Sequence, residues 1–428
     1  MIQRFLAAAA LALLASVSFA QTKEIKIGVI YDLTGPLAAG GSYAGYLGTK
    51  YAIDMINEKG GVGGYRIKPI YADAQSKPEV AINETTRLIE QEKVDMLMGV
   101  FSSAHCVPMS QKADAAKRFF WANICVASSV FKDKNLKYVF RAQVHSDQHG
   151  WASCTFLAEQ AKAKLGKEPK DLKVAVIYED GPYGAGVAAG NEATCKSLGL
   201  QVVLKEGYAA TSPDLSPLVT KLKRARADVI LHTGYNPDIT LFLRQSKEQG
   251  LKWSALIGHG AGYGQFDKLF ATFKDDANLI YNVDPVAAQL LDPKSLAAGL
   301  GDVTKEMVRR YKADVKGDEV PPHLSMGFNQ AWIFFTDVMP RAIKNHGGID
   351  SESLRKAALE TDIPVGGTIQ GYGVKFFPPG TQMAGQNERS SPVVMQYSGN
   401  DTFIVWPAAL KTRDAALPLP RGHGFSNQ

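Results

Sequence analysis

Cysteine is scarce in this chain: there are four in 428 residues, at positions 106, 125, 154 and 195. None forms a Cys-x-x-Cys pair, which disfavours a zinc site. The eight histidines are scattered without the spacing that metal ligands need. There is no Gly-x-Ser-x-Gly elbow and no His-Glu-x-x-His helix. The Gly-rich turns at residues 181–186 and 258–264 lack the Gly-Lys-Ser/Thr ending of a phosphate loop. Neither reads as a dinucleotide fingerprint followed by an acid. These absences argue against an enzyme, and no cofactor or metal is expected. Excess charge is also lacking, since 48 basic and 42 acidic residues leave a net charge of +6. The densest basic run, residues 221–226, alternates with apolar residues and reads as a solvated helix face. No basic stripe with interleaved aromatics is present, so a nucleic-acid partner is not expected.

One long apolar run exists, at the start. Met1-Ile2-Gln3-Arg4 precedes an apolar stretch over residues 5–17, then Ser18-Phe19-Ala20. This is the pattern of an export signal with cleavage after Ala20. The run is shorter than the ~20 residues that span a bilayer, so an exported, soluble mature chain is expected. In an oxidising compartment an even cysteine count points to disulfides. Pairing Cys106 with Cys125 and Cys154 with Cys195 keeps each bridge within one stretch of chain; four free buried thiols are the other reading.

The body of the chain alternates strand and helix patterns. Strands are expected at 24–31, 65–73, 94–99 and 119–126, with helices at 41–59, 78–91 and after Ser103. A second copy follows, with strands at 172–178, 201–208, 228–232 and 253–257 separated by helical stretches. This predicts an α/β fold of two Rossmann-like parallel-sheet lobes. The last third is less regular. It holds a strand near 279–283 that passes between the halves, helices at 302–315 and 326–343, and a late hairpin over 393–406.

The stretch from Val94 to His105 organises the reading of function. A buried strand breaks at Gly99, and Ser102 and Ser103 open a helix. A helix N-terminus presents unpaired N–H groups and favours an anion. Serine there also serves as an ordinary N-cap, and both readings stand at this point. In open parallel sheets ligands sit beyond the carboxyl ends of the strands. The corresponding turns carry Ser102, Ser103, Ala127, Ser128 and Ser129 in the first half. In the second half they carry Tyr183, Tyr235, His259 and Gly260. Hydroxyls for a polar head thus face aromatic walls, as a cleft between lobes would need.

In this setting the chain resembles the leucine/isoleucine/valine-binding family of type I periplasmic solute-binding proteins, which serve ABC importers. The resemblance rests on Lys26-Ile27-Gly28-Val29, Thr34-Gly35-Pro36, Asn57-Glu58-Lys59-Gly60-Gly61, Gly99 with Ser102-Ser103, Phe140-Arg141, Ser146-Asp147-Gln148, Tyr183-Gly184 and Gly234-Tyr235. It implies two lobes joined by three crossings near residues 141–144, 281–284 and 367–372. Residues 21–142 and 282–366 would form one lobe, and 143–281 with 367–428 the other. It also implies a monomer in the periplasm, a membrane permease as partner, and a branched-chain amino acid or an aromatic or other organic carboxylate as ligand. Ser102, Ser103 and the 127–129 turn would take the carboxylate. A sensor for amides or aromatic compounds that serves no transport is the alternative. Two departures bear on the ligand. The turn after the 253–257 strand, where relatives place an acid for the ligand ammonium, has no carboxylate before Asp267. Gly40 and Gly41 stand where an aromatic is common, which predicts a larger pocket. Both make a carboxylate without an ammonium attractive, with an amino acid as the rival.

Overall fold

Strand β1 (Lys23–Tyr31) is the axis of the first lobe, with Ile25, Ile27, Val29 and Ile30 fully buried. In the computed structural model, which describes residues 23–315, 319–399 and 401–428, β1 pairs in parallel with β2 (Tyr65–Asp73) and β3 (Met96–Gly99). Strands β4 (Phe119–Ala122) and β5 (Val139–Phe140) extend the sheet, giving the order β2-β1-β3-β4-β5. An apolar strand buried on both faces needs helices on both sides, and the intervening segments supply them. The export signal expected over residues 1–20 lies outside the described residues.

The second lobe repeats the scheme with β6 (Lys173–Glu179), β7 (Gln201–Tyr208), β8 (Val229–Thr233), β9 (Ala255–His259) and β10 (Tyr281–Asp284). Two late strands, β11 (Val393–Ser398) and β12 (Asp401–Trp406), complete a seven-stranded sheet in the order β12-β11-β10-β9-β8-β6-β7. Strand β11 runs antiparallel to both β10 and β12. The α/β reading and the closing hairpin both match this architecture.

The late helices return to the first lobe. Helix Pro322–Ile333 lies against helix Tyr43–Glu58 with the backbones touching. A Cβ at Gly48 would sit 2.1 Å from the Leu324 carbonyl oxygen, and one at Gly327 would sit 2.0 Å from that of Gly45. Only glycine permits that approach.

Two crossings differ from expectation. Tyr281 pairs with both Ile257 and Gln396, and Asp284 with Val393, so β10 belongs to the second sheet to its end. The chain therefore crosses after Asp284, and the expected 281/282 boundary falls inside a strand. The third crossing also comes later than residues 367–372. Ile369, Val374 and Phe376 are buried in the first lobe's core, with the Phe376 ring 5.7 Å from Trp121 and 5.2 Å from Phe140. Those apolar residues need a partner face, and the first lobe provides it. Both expected disulfides are present, Cys106–Cys125 and Cys154–Cys195. Trp121 is buried, whereas Trp151 is 43% exposed and leans on Trp406.

Candidate ligand-binding site

The turn after β3 is built under strain. Gly99 has φ 116°, and a Cβ there would meet the Ile30 carbonyl oxygen at 2.5 Å. Val100 follows at φ 71°, a left-handed conformation that a β-branched residue rarely adopts. Its amide donates to the Ile30 carbonyl at 2.8 Å, and its carbonyl accepts from Ile124 and Cys125. Those bonds hold the strain and aim helix Ser103–Ala115 at the other lobe. Ser102 occupies the N-cap position, but its side chain makes no capping bond. Ser103 does different work. Its Oγ accepts from the amides of Val126 (3.3 Å) and Ala127 (3.1 Å), so the hydroxyl proton remains to be donated outward. The first-turn amides of the helix add further donors.

The turn after β4 is fastened from its other side by Arg141. The buried guanidinium donates to the carbonyls of Cys125 (2.9 Å) and Ala127 (3.1 Å). Burial pulls its pKa down to about 9, against an opposing pull from Asp147. The Cys106–Cys125 bridge ties the same turn to the Ser103 helix.

The second lobe contributes tyrosines. Tyr183 donates its hydroxyl to the His259 carbonyl at 2.7 Å. The Tyr235 ring lies 5.5 Å from that of Tyr183 and 6.2 Å from that of Phe101 in the first lobe. Burial raises both phenols well above their ordinary pKa, so they act as neutral groups. Between the lobes is a small inner cavity of about 30 Å³. Phe101, Ser103, Ile124 and Val126 form one wall; Tyr183, Tyr235, Gly260 and Asp284 form the other; His149, His323 and Met326 complete it. Beyond Tyr235 lies an outer chamber of about 480 Å³, where Pro36, Leu37, Ser102 and His105 face Glu179, Pro182, Pro237 and Leu241.

Of the residues expected from sequence, Ser103, Tyr183, Tyr235 and Gly260 therefore meet at the inner cavity, and Ser102 lines the outer chamber. Ala127 contributes its amide to Ser103 and its carbonyl to Arg141. Ser128 turns away: its Oγ bonds Ser146 Oγ (2.8 Å), Asp147 Oδ1 (2.9 Å) and His145 Nδ1 (3.2 Å). Ser129 is exposed. His259 is a correction. Strand β9 runs to residue 259, two residues further than expected, and the histidine side chain packs inside the second lobe. Its Nε2 meets Ser153 Oγ at 2.7 Å and its Nδ1 meets Thr233 Oγ1 at 2.9 Å. Burial pushes its pKa down to about 3, so it is a neutral core residue.

Asp284, His149 and His323 escaped the sequence reading. Asp284 is 1% exposed, and its Oδ2 has no hydrogen-bond partner among the described residues. A Cβ on Gly260 would lie 3.3 Å from Asp284 Oδ1. The expectation of a cleft without a carboxylate is thus overturned: the acid comes from the end of β10, and the bare Gly260 leaves it room. The space expected beside Gly41 is likewise filled, since a Cβ there would stand 2.8 Å from His323 Nδ1. The strand-end rule that found the serines would have found Asp284, had β10 been placed in the second sheet.

Residues 24–387 match the sequence model of the family described as periplasmic binding protein. The chain is 35% identical over 395 residues to the Leu/Ile/Val-binding protein homolog 7 of Brucella suis, covering 92% of this chain and 94% of the relative. Among solved structures, the branched-chain amino acid transporter substrate-binding protein LivJ of Streptococcus pneumoniae, in complex with isoleucine, superposes with a TM-score of 0.71 at 19% identity, over 90% of this chain and 100% of that one. A solute-binding protein of an R. palustris ABC transporter, in complex with 4-hydroxybenzoate, gives 0.69 at 18% identity, over 90% and 98%.

Proposed function

The chain belongs to the type I periplasmic binding proteins, in their Leu/Ile/Val-binding branch, and on that premise we propose that it captures a small carboxylate-bearing solute between its lobes and delivers it to the permease of an ABC importer. Its relatives are binding proteins, and the chain is one too rather than an enzyme. The observation that carries the proposal is Ser103: its hydroxyl, held by two backbone amides, lines the inner cavity opposite Tyr183 and Tyr235. A carboxylate seated there would meet a hydroxyl donor and the positive end of a helix. A lining of apolar and aromatic side chains with a few polar groups suits a small solute such as an amino acid or an organic or aromatic acid, admitted as the lobes part. Both kinds of ligand occur in proteins of this fold, isoleucine in LivJ and 4-hydroxybenzoate in the R. palustris protein. The protein is read as an exported periplasmic monomer.

A thermal-shift screen over amino acids, aromatic acids, short-chain acids and amides tests this. A ligand at 100 times its dissociation constant stabilises the fold by about 2.7 kcal/mol. Small-angle scattering should then show the lobes drawing together. A panel in which only uncharged amides bind, or binding with no contraction, would overturn the reading.

A further inference from the structure

Helix Phe266–Phe273 belongs to the second lobe by its apolar face, where Phe266, Leu269 and Phe273 are buried in that lobe's core. Its polar start points the other way and touches three separate pieces of the first lobe. The Asp267 amide donates to Glu319 Oε2 at 2.7 Å. Lys268 Nζ donates to the Ala39 carbonyl. Gln265 Nε2, just before the helix, lies 3.4 Å from His323 Nδ1. All three partners are anchored in the first lobe. Glu319 precedes Val320, which is buried in that lobe's core. Ala39 belongs to the turn that runs into helix Tyr43–Glu58, and His323 stands on helix Pro322–Ile333, which packs against it. These contacts meet needs that exist without any ligand. The Asp267 amide stands in a first helical turn, where the helix itself offers no carbonyl, and Glu319 supplies the acceptor. Burial, then the neighbouring Asp267 carboxyl, raise the Glu319 pKa to about 8, and in either protonation state the group keeps an oxygen for that amide. None of Gln265, Asp267, Lys268 or Glu319 lines the inner cavity or the outer chamber.

We infer that the start of helix Phe266–Phe273 is a clasp between the lobes: Gln265, Asp267 and Lys268 hold part of the empty protein closed and slow its reopening once a solute is inside. The clasp acts on closure and not on recognition, so it serves any solute that the cleft admits. Its strength has an upper bound. Only the open form admits a solute, and apparent affinity falls in proportion to the fraction that stays open. A clasp that kept nearly every empty molecule shut would defeat capture. A few polar contacts at a part-exposed joint, with Asp267 exposed and Lys268 and Glu319 half-buried, bias closure by the modest amount that capture tolerates.

The test needs no ligand. The Asp267 amide reports the clasp directly, because opening removes its acceptor. In the empty wild-type protein its hydrogen exchange, resolved by NMR, should be about three- to fivefold slower than in Glu319→Ala. Glu319→Gln, which keeps an oxygen at that position, should restore the slow exchange. Small-angle scattering of the same empty samples should give a larger radius of gyration for the double variant Lys268→Ala/Glu319→Ala than for the wild type. An Asp267 amide that exchanges at the rate of an unstructured amide in the empty wild type overturns the inference, whatever the folding of the variants. So does a double variant that keeps both its melting midpoint and the wild-type radius. Either result leaves the capture of a carboxylate solute standing, whereas a chain that binds no such solute loses the capture reading and can keep the clasp.

Discussion

Arg141 Nε donates a 2.7 Å hydrogen bond to Gln386 Oε1, joining the first crossing between the lobes to the segment that leads into the third. Gln386 Nε2 in turn donates to the Gln143 carbonyl at 2.6 Å. Replacing Arg141 with Met keeps the length and removes the donors. It leaves Gln386 Oε1 and the Cys125 carbonyl unpaired in a dry interior and the Ala127 carbonyl with only the Val130 amide, a loss partly offset by no longer burying a charge. The expected destabilisation is about 2–4 kcal/mol, read as a lower thermal midpoint. An unchanged midpoint would mean that the hinge network contributes nothing.

Ser103→Ala removes the hydroxyl that faces the cavity. Loss of a hydrogen bond to a charged group is worth about 1.5–3 kcal/mol, so affinity for a carboxylate ligand should fall about 10- to 100-fold. The fold should lose a comparable amount, because the Val126 and Ala127 amides lose their acceptor, so affinity is measured well below the variant's melting range. Calorimetry that returns the wild-type affinity would place the carboxylate grip elsewhere.

Tyr235 lines both chambers. Tyr235→Ala should merge them. Small ligands should lose about 2 kcal/mol of binding as the aromatic wall disappears, whereas ligands with longer side chains gain space. The informative quantity is the ratio of the two affinities, and a variant that weakens both equally contradicts the partition.

The two disulfides should differ in what they protect. Their separations of 19 and 41 residues correspond to about 3 and about 4 kcal/mol in a chain-entropy account. Removing Cys154–Cys195 as an alanine pair should therefore lower thermal stability more. Removing Cys106–Cys125 should weaken ligand binding more, because that bridge joins the Ser103 helix to the turn after β4. Paired melting and titration curves for the two double variants separate these effects.

His232 and His259 are buried side by side in the second lobe. His232 meets the Tyr208 and Tyr263 hydroxyls at 2.7 and 2.6 Å, and burial pushes each histidine down to about 3. Their folded pKa lies below the unfolded value of about 6.5. Between pH 6.5 and 3 the unfolded chain thus binds protons that the folded chain refuses, and each histidine removes stability as pH falls, at up to about 1.4 kcal/mol per unit. Asp32, raised to about 6 by burial, acts in the opposite sense. The ring signals of both histidines should stay unshifted between pH 8 and 5 in NMR titrations, and His259→Gln should lose less stability than wild type on acidification. A midpoint near 6.5 for either ring would refute their neutral burial.

What could be read from sequence follows from how local each signal is. The alternation and apolarity of Ile25, Ile27, Val29 and Ile30 marked a central strand, and Gly99 before two serines marked the site turn. The role of Ser103 was less visible, because its hydroxyl serves Val126 and Ala127, more than twenty residues away. His259 was misplaced by two residues of strand length, enough to move it from the cleft to the core. Asp284 was missed because β10 finds its second neighbour, β11, far along the chain. His323 reaches the site only through the close contact of two helices at Gly48 and Gly327, which no short window reveals.

That arrangement of late strands governs how the molecule comes into being. Strand β11 covers the edge of β10, and Phe425 stacks 4.4 Å from Trp253, so the second lobe needs the last 36 residues of the chain, 393–428. The first lobe needs helix Pro322–Ile333 to cover helix Tyr43–Glu58. A nascent chain thus holds two unfinished cores with exposed strand edges until residues 393–428 have been made. Maturation is a late, concerted event that vectorial synthesis cannot complete piecemeal, and a chain cut short before residue 393 would leave β10 as an open edge for aggregation.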